Sequence, residues 1–343
     1  MRAPCMKALR CLAQRSPGSR VVAGHERKEP DLTYALATLR TDNGPTPAVR
    51  IGSHYYRLVQ VAPGLELDAA STLGDVFARW EEAEPLIEAG VAKLAAGHGP
   101  APMADEATAS FLPPIQRPSK ILCVGANYHD HLKADFDIND FDKSKQDVLY
   151  FMKHPGALVG SGQEVRYPSQ STKLDWELEL VVVFGKRCRR VTVEEALDHV
   201  AGYTIGIDLS ARDWQFNPRH TKQFDLLTGK SFDDSAPCGP TIVPARFVDL
   251  DDTPLKLWVN DALKQDSNTR FMIWSVAELV ADLSQHITME PGDLLYTGSP
   301  AGVGIATGTF LKVGDHVKAE IGAMGRLEIE IAEDPDRSRI PGA

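Results

Sequence analysis

The chain has 343 residues with 47 acidic and 37 basic side chains, a net charge of −10 and a pI near 5.5. This balance argues against a nucleic-acid or anionic-membrane partner, and no apolar run is long enough to cross a bilayer. The five cysteines show no C-x-x-C spacing, which argues against a zinc site or a disulfide framework. We therefore expect a globular protein of one or two domains in a reducing, cytoplasmic compartment.

The N-terminal third carries no chemical motif. Residues 1–28 are predicted to be a disordered or basic segment with no acid before Glu26, and a mitochondrial transit peptide is the alternative if the source is eukaryotic. Residues 29–117 are predicted to form a small α+β domain followed by a Pro- and Ala-rich linker. Its helix is predicted to begin at the N-cap Thr72 and to end at Gly97. A packing or dimerisation role is the interpretation we favour.

The predicted catalytic domain spans residues 118–333, and its first strand, KILCVGANY, runs into a polar turn. His129 and His131 follow that turn, and a histidine in such a place is usually structural. The next segment, DFDINDFDKSKQD, is acidic and has no clear period. It is equally well interpreted as a solvated loop and as a lid that closes over a ligand.

Two glutamates one residue apart mark the following strand, in DWELELVVVF. Side chains alternate along a strand, so Glu177 and Glu179 lie on one face. Asp208 interrupts the apolar run YTIGIDL and is the natural third carboxylate. Such a pattern is most often a solvated face, but at the end of a core strand the acids would repel each other unless a cation bound them. Oxygen ligands favour Mg²⁺, Mn²⁺ or Ca²⁺ over zinc.

The rest of the chain is predicted to be rich in strands. VTVEEALDHVAGY is predicted to be a helix. FVDLDDTPLKLWVNDALKQ is predicted to be a hairpin whose strand LKLWVN turns at Asn260 and Asp261. An amphipathic helix is predicted from Ser275 to His286. Alternating strands then lead to a C-terminal tail, residues 334–343. The fold class that follows is mostly β, a β-rich α+β protein.

Several blocks carry a resemblance to a known family. GANYHDH, DWELELVVVFGK, VAGYTIGIDLSARDWQ, GKSFDDSAPCGP and PGDLLYTGSPAGVG occur in this order. Over roughly residues 120–330 the chain resembles the fumarylacetoacetate hydrolase family, in particular its acylpyruvate hydrolase-like branch. The resemblance implies a mixed β-roll or barrel-like catalytic core with covering helices. It also implies a homodimer and a divalent cation, Mg²⁺ first.

The resemblance also implies roles for single residues. It makes His131 the catalytic base, places Lys230 of GKSF in the substrate site, and places Thr297 at the substrate carboxylate. A common family pattern has a glutamate three residues after the histidine. Here that position is Ala134, followed by Asp135. Asp135 is the predicted partner of the base, although the sequence leaves open which carboxylate orients the imidazole.

The polar residues after Asp208 complete the predicted site. Arg212 and Lys230 would supply positive charge to substrate oxygens, and Gln215 a hydrogen bond. Asp213 is interpreted as the ion-pair partner of Arg212 or as a strand-end cap.

The reaction implied by the resemblance is metal-dependent hydrolysis of a carbon–carbon bond in a β-diketo acid, such as an acylpyruvate or fumarylacetoacetate. His131 would activate the attacking water. The resemblance implies breakdown of aromatic compounds or of sugar acids as the context. The missing glutamate weakens this prediction, so an oxaloacetate-type decarboxylase and a 2-keto acid isomerase or hydratase are kept as alternatives. A non-catalytic ligand-binding relative is the third hypothesis.

Overall fold

Strands dominate the fold, as predicted. The structure is a computed structural model that describes residues 33–336, so the predictions for residues 1–28 and for most of the tail lie outside the described residues. The strands are β1 (Ala35–Thr41), β2 (Gly44–Ile51), β3 (His54–Arg57), β4 (Ala104–Asp105), β5 (Phe111–Leu112), β6 (Ile121–Gly125), β7 (Leu149–Lys153), β8 (Leu158–Val159), β9 (Gln163–Arg166), β10 (Leu174–Asp175), β11 (Leu178–Phe184), β12 (Val200–Ile207), β13 (Ser210–Ala211), β14 (Ala236–Pro244), β15 (Pro254–Val259), β16 (Ala262–Asn268), β17 (Leu294–Tyr296), β18 (His316–Ile321) and β19 (Arg326–Ala332).

Short helices cover these strands. They are α1 (Leu58–Val61), α2 (Leu73–Phe77), α3 (Trp80–Ala95), α4 (His129–Phe136), α5 (Val193–Ala196), α6 (Arg212–Gln215), α7 (Leu226–Lys230), α8 (Val276–His286) and α9 (Gly304–Thr307). Among the described residues no helix is both long and apolar enough to span a membrane.

Most of the strands join one large mixed sheet of 12 strands. Its main path is β4-β3-β2-β1-β14-β12-β11-β17-β6-β7, and a second sheet of five strands runs β16-β15-β18-β19-β9. Both paths have two ends, so the described strands close no barrel. β1 pairs antiparallel with β14, with Leu36 opposite Ile242. Strands from both sides of residue 117 therefore share one sheet, and the division into two domains at that position stays a prediction.

The central strand β11 is buried on both faces. Leu180 and Val182 belong to one hydrophobic cluster, and Val181 and Val183 to another that includes side chains of α2 and α3. Burying one such side chain contributes roughly 1.5–3 kcal/mol. Glu179 lies on the same face of β11 as Val181. The free energy gained by burying the apolar side chains on both faces helps to offset the cost of removing Glu179 from water.

The predicted turns and caps are largely present, with two corrections. The helix predicted from Thr72 to Gly97 is split into α2 and α3, although Thr72 does cap α2 through a capping box. The helix predicted in VTVEEALDHVAGY ends early, because its last residues form β12. Pairing of this segment with β11 and β14 in the centre of the sheet outweighs its helical pattern. The hairpin β15–β16 turns where expected, with positive φ at Asn260 and Asp261.

Candidate metal and substrate site

The structure brings the three predicted carboxylates together. Glu177 directly precedes β11, Glu179 lies in it, and Asp208 directly follows β12. The two strands are antiparallel neighbours, with Glu179 opposite Gly206, so their acid-bearing ends meet. One carboxylate oxygen from each residue lies within 4.8 Å of the other two, and all three side chains are buried.

Cations surround this acidic cluster. Lys230 Nζ lies 2.5 Å from Glu177 Oε2 and 2.6 Å from Asp208 Oδ2, while Arg212 contacts the other oxygen of Glu177. Burial favours the neutral acid, but the charges of Arg212 and Lys230 outweigh it and hold the pKa of Glu177 below its ordinary value. Glu177 is therefore an anion in the folded protein.

Glu179 is in the opposite electrostatic situation. Burial raises its pKa well above the ordinary value, and the nearby charges of Asp208 and Glu177 raise it further. Its Oε2 accepts a hydrogen bond of 2.6 Å from the backbone N–H of Gly298. Its Oε1 is buried and has no hydrogen-bond partner among the described residues. An unpartnered oxygen beside two other carboxylates is what a hard divalent cation requires, so the residues fit such an ion.

Lys230 reaches the carboxylates because α7 lies very close to Gln215. A Cβ placed on Gly229 would meet the Cα of Gln215 at 2.5 Å, so the helix could not pack this closely with a larger residue. Close packing of α7 against Gln215 therefore explains why the residue before Lys230 is a glycine.

Two further buried residues contact the predicted site residues. Lys153 lies 2.7 Å from Asp208 Oδ1. It also donates hydrogen bonds to the backbone carbonyls of Leu209 and Lys230. Asp175 lies 2.9 Å from Arg212 Nε. The sequence signal for Asp175 is its position two residues before Glu177, and the signal for Lys153 is its place at the end of the strand LYFMK.

The hydrogen bonds of Arg212 hold three side chains of the site in place. Its guanidinium donates to Asp175 and Glu177, and at 3.0 Å to Gln215 Oε1. The expected pairing with Asp213 was wrong. That carboxylate instead accepts from Ser171 Oγ, at 2.6 Å, and from Thr172. Asp213 therefore ties the preceding loop to α6.

The imidazole of His131 pairs with Asp135. The two lie four residues apart in α4, on one face of the helix, and Nδ1 is 2.6 Å from Asp135 Oδ2. The same oxygen accepts a hydrogen bond of 3.1 Å from the backbone N–H of Gly302. The carboxylate that faces the histidine is therefore Asp135.

A cavity of about 170 Å³ contains most of the predicted residues. Its lining includes His131, Glu177, Arg212, Gln215 and Lys230. Asp135, Glu179, Asp208 and Thr297 are not part of that lining. The hydroxyl of Thr297 donates to the backbone carbonyl of Leu180 at 2.9 Å. A larger cleft of about 730 Å³ lies elsewhere, between Tyr55 and Glu328, and holds none of the predicted site residues. Convergence of ionisable groups, not volume, identifies the smaller cavity as the candidate site.

A β-rich fold with a buried acidic triad and a His–Asp pair beside one small cavity defines an enzyme scaffold with a site suited to a divalent cation. The chain belongs to the fumarylacetoacetate hydrolase family, because the family model "Fumarylacetoacetate (FAA) hydrolase C-terminal" matches residues 120–332.

Known proteins agree with this assignment. The chain is 40% identical over 228 residues to "Oxaloacetate tautomerase FAHD2B, mitochondrial" of Bos taurus, across 65% of this chain and 70% of that protein. It resembles the structure of fumarylacetoacetate hydrolase from Exiguobacterium antarcticum, with a TM-score of 0.74, 29% identity and coverage of 88% and 100% of the two chains. It also resembles fumarylpyruvate hydrolase from Pseudomonas aeruginosa in complex with Mn²⁺ and pyruvate, with a TM-score of 0.55, 34% identity and coverage of 63% and 90%.

Proposed function

We propose that this protein is a metal-dependent enzyme that moves a proton at C3 of a 2-oxo acid. The observation that carries the proposal is the His131–Asp135 pair, whose imidazole lines the same cavity as Glu177 of the acidic triad. A general base beside a site suited to a divalent cation is the arrangement that proton transfer next to a carbonyl requires.

The residues that would hold the cation are Glu177, Glu179 and Asp208. When bound, the ion would supply Lewis-acid polarisation of a substrate carbonyl. Mg²⁺ is the ion we propose first, with Mn²⁺ and Ca²⁺ as alternatives, and the solved fumarylpyruvate hydrolase contains Mn²⁺. Arg212 and Lys230 line the cavity and face the anionic part of the substrate. Gln215 lies beside them as a hydrogen-bonding group.

His131 would be the proton carrier. If Nδ1 carries the proton that faces Asp135, Nε2 is left with the lone pair that can accept a proton and return it. The carboxylate would hold the ring in this tautomer and stabilise its charged form. The same geometry serves a proton taken from carbon and one taken from water.

Hydrolysis of a β-diketo acid is the first candidate reaction. A water molecule loses a proton to His131 and its oxygen bonds to the carbonyl carbon C4. The C3–C4 bond then breaks, and C3 takes up a proton, so that a carboxylate and a pyruvate-type acid leave. Asp135 supports this candidate, since it provides the carboxylate that the sequence pattern lacked three residues after the histidine. The hydrolase structures named above support it as well.

Keto–enol tautomerisation is the second candidate. The enol oxygen loses a proton, the C2=C3 double bond becomes a single bond as the C2 carbonyl forms, and C3 gains a proton. No carbon–carbon bond is cleaved. The 40% identity to a bovine protein named oxaloacetate tautomerase favours it. Decarboxylation would use the same C3 chemistry and is an outcome of the same assay.

The test is a panel of 2-oxo acids assayed with EDTA and with added Mg²⁺ or Mn²⁺. Acetylpyruvate reports hydrolysis through pyruvate release, and oxaloacetate enol reports tautomerisation through its ultraviolet absorbance. We expect turnover that requires the metal and that falls at least about 100-fold in His131→Gln. Metal-independent turnover, or none on any compound, would refute the proposal.

Three further expectations accompany it. We propose that the protein forms a homodimer and that breakdown of aromatic compounds supplies its substrate. We also propose a cytoplasmic location, with mitochondria as the alternative that the name of the bovine relative suggests. Light scattering and localisation of a tagged full-length chain would test the first and the last.

A further inference from the structure

The candidate cavity changes character from its inner end to its mouth. The buried part of the lining includes the charged or polar side chains of His131, Glu177, Arg212, Gln215 and Lys230, together with the apolar Val124. The outer lining, whose side chains are more exposed, is apolar and is formed by Leu149, Phe216, Phe224 and Leu226. Phe151 joins the two regions, because Lys230 Nζ lies 5.3 Å from the centre of its ring. A ligand that fills the cavity therefore meets charge at one end and hydrocarbon at the other.

Two phenylalanines at the mouth are held together by the fold. Phe216 follows α6 and Phe224 precedes α7, and the loop between them is closed at its base by a hydrogen bond of 2.8 Å from Asp225 N to Gln215 O. Their ring centroids lie 5.5 Å apart, with the planes tilted by 43°. The backbone hydrogen bond at the base of the loop brings the two rings together at the mouth.

Three large apolar side chains at the mouth of the cavity are exposed to solvent. Phe216 and Phe224 are 46% and 41% exposed, and Leu149, which lines the same mouth, is 48% exposed. Leaving large apolar side chains in water forgoes the stabilisation that burial would provide. Several of them at the entrance of one cavity indicate a surface that contacts a ligand.

The cations that line the cavity already have anionic partners. Arg212 pairs with Asp175 and Glu177, Lys230 pairs with Glu177 and Asp208, and His131 pairs with Asp135. These groups face the end of the cavity where the 2-oxo acid would bind. The outer lining adds no charged side chain, and the basic residues of the loop 216–225 lie at its exposed tip, outside the lining.

We propose that the substrate carries an apolar group, aromatic or branched aliphatic, at the end remote from its 2-oxo acid. Phe216 and Phe224 contact that group and determine specificity. This inference rests on the proposed function and narrows the class of 2-oxo acid that the site accepts. A substrate with a second carboxylate is disfavoured, because at the mouth that carboxylate would lose its hydration without gaining a cationic partner.

Matched substrates test the inference. Benzoylpyruvate and its para-carboxylate derivative differ only in the charge at the remote end, and acetylpyruvate lacks the remote group. With the metal-loaded full-length protein, we expect kcat/KM for benzoylpyruvate to exceed that of the carboxylate derivative at least about tenfold. Equal or faster turnover of the carboxylate, or a clear preference for oxaloacetate, would overturn the inference and leave the proposed function intact. Absence of turnover on every compound would refute the proposed function itself.

Variants test whether the aromatic side chains at the mouth cause the preference for benzoylpyruvate. Phe224→Ala should lower kcat/KM for benzoylpyruvate about tenfold and reduce that of acetylpyruvate much less, while Phe224→Leu should keep most of the preference. Phe271→Ala is the matched control, since that ring is 43% exposed and does not line the cavity. Light scattering is measured for each variant. If Phe224→Ala changes the oligomeric state and affects both substrates equally, the mouth is an interface between copies of the chain and the inference is wrong.

Discussion

Lys153 Nζ lies 2.7 Å from Asp208 Oδ1, and both side chains are completely buried. Lys230 approaches the other oxygen of the same carboxylate at 2.6 Å. Asp208 is thus held between two ammonium groups that come from different parts of the chain. Lys153 additionally donates to the backbone carbonyl of Lys230, so one side chain positions both a candidate metal ligand and a candidate substrate-binding residue.

Replacing Lys153 should therefore destabilise the protein strongly. In Lys153→Met the hydrocarbon is retained, but Asp208 loses an ion pair and two carbonyls lose a donor. Breaking a buried pair in this way costs roughly 3–5 kcal/mol. Urea unfolding should show that loss. Lys186→Met is the control, because Lys186 forms an exposed ion pair with Glu81 and its loss should cost about 1 kcal/mol or less. Equal losses in the two variants would contradict the role assigned to Lys153.

The alternation of side chains along a strand made the triad predictable. Glu177 and Glu179 share a face in any strand, whatever their neighbours, so their convergence could be read locally. The histidine pair was only partly predictable: Asp135 was a candidate partner, but the choice of carboxylate became clear only because His131 and Asp135 share one face of α4. Local patterns of this kind also gave the cap of α2, the helix α8 and the hairpin turn.

Features that depend on distant pairing could not be read in this way. The partner of Arg212 is Asp175, 37 residues away, and not the adjacent Asp213, because β10 and β13 pair and bring Asp175 beside it. The segment that begins at Val200 forms a strand because β11 and β14 lie on either side of it. Nothing in the local sequence records these neighbours.

Removing the carboxylate beside His131 should slow the reaction without abolishing binding. In Asp135→Asn the side chain can still accept from Gly302 N, but it no longer provides an anion for the imidazolium. We expect kcat to fall about 100-fold, with KM changed much less. Asp140→Asn in the neighbouring acidic segment is the control and should retain normal kcat. A large rise in KM with unchanged kcat would instead make Asp135 a substrate-binding residue.

Metal binding should become tighter as pH rises. Burial, together with Asp208 and Glu177, raises the pKa of Glu179 well above its ordinary value of 4.5, so the metal-free folded protein binds a proton there that the unfolded chain has released. The contribution of Glu179 to the stability of the metal-free protein is therefore fully present below the ordinary pKa and is lost as pH rises through the raised pKa. A divalent cation must displace that proton.

Mn²⁺ titrations between pH 6 and 8 would measure this linkage. One displaced proton increases the apparent affinity by up to about tenfold per pH unit. The increase in melting temperature on adding Mn²⁺ should grow over the same range. An affinity that does not change with pH would mean that Glu179 is already ionised in the metal-free protein.

The variant Glu179→Gln separates the effect of this carboxylate on the stability of the metal-free protein from its role in metal binding. Glutamine resembles the protonated acid that burial imposes, and its carbonyl oxygen can accept the hydrogen bond from Gly298 N. Without metal, Glu179→Gln should therefore be at least as stable as the wild type, and its advantage should increase with pH because it has no proton to lose. With Mn²⁺ the order reverses, since the amide is a weaker ligand and removes one of the three anionic donors. The thermal shift on adding metal should fall to less than half of the wild-type shift. If Glu179→Gln were instead destabilised without metal and kept the full shift, the unpartnered Oε1 would have a structural role and the cation would bind elsewhere.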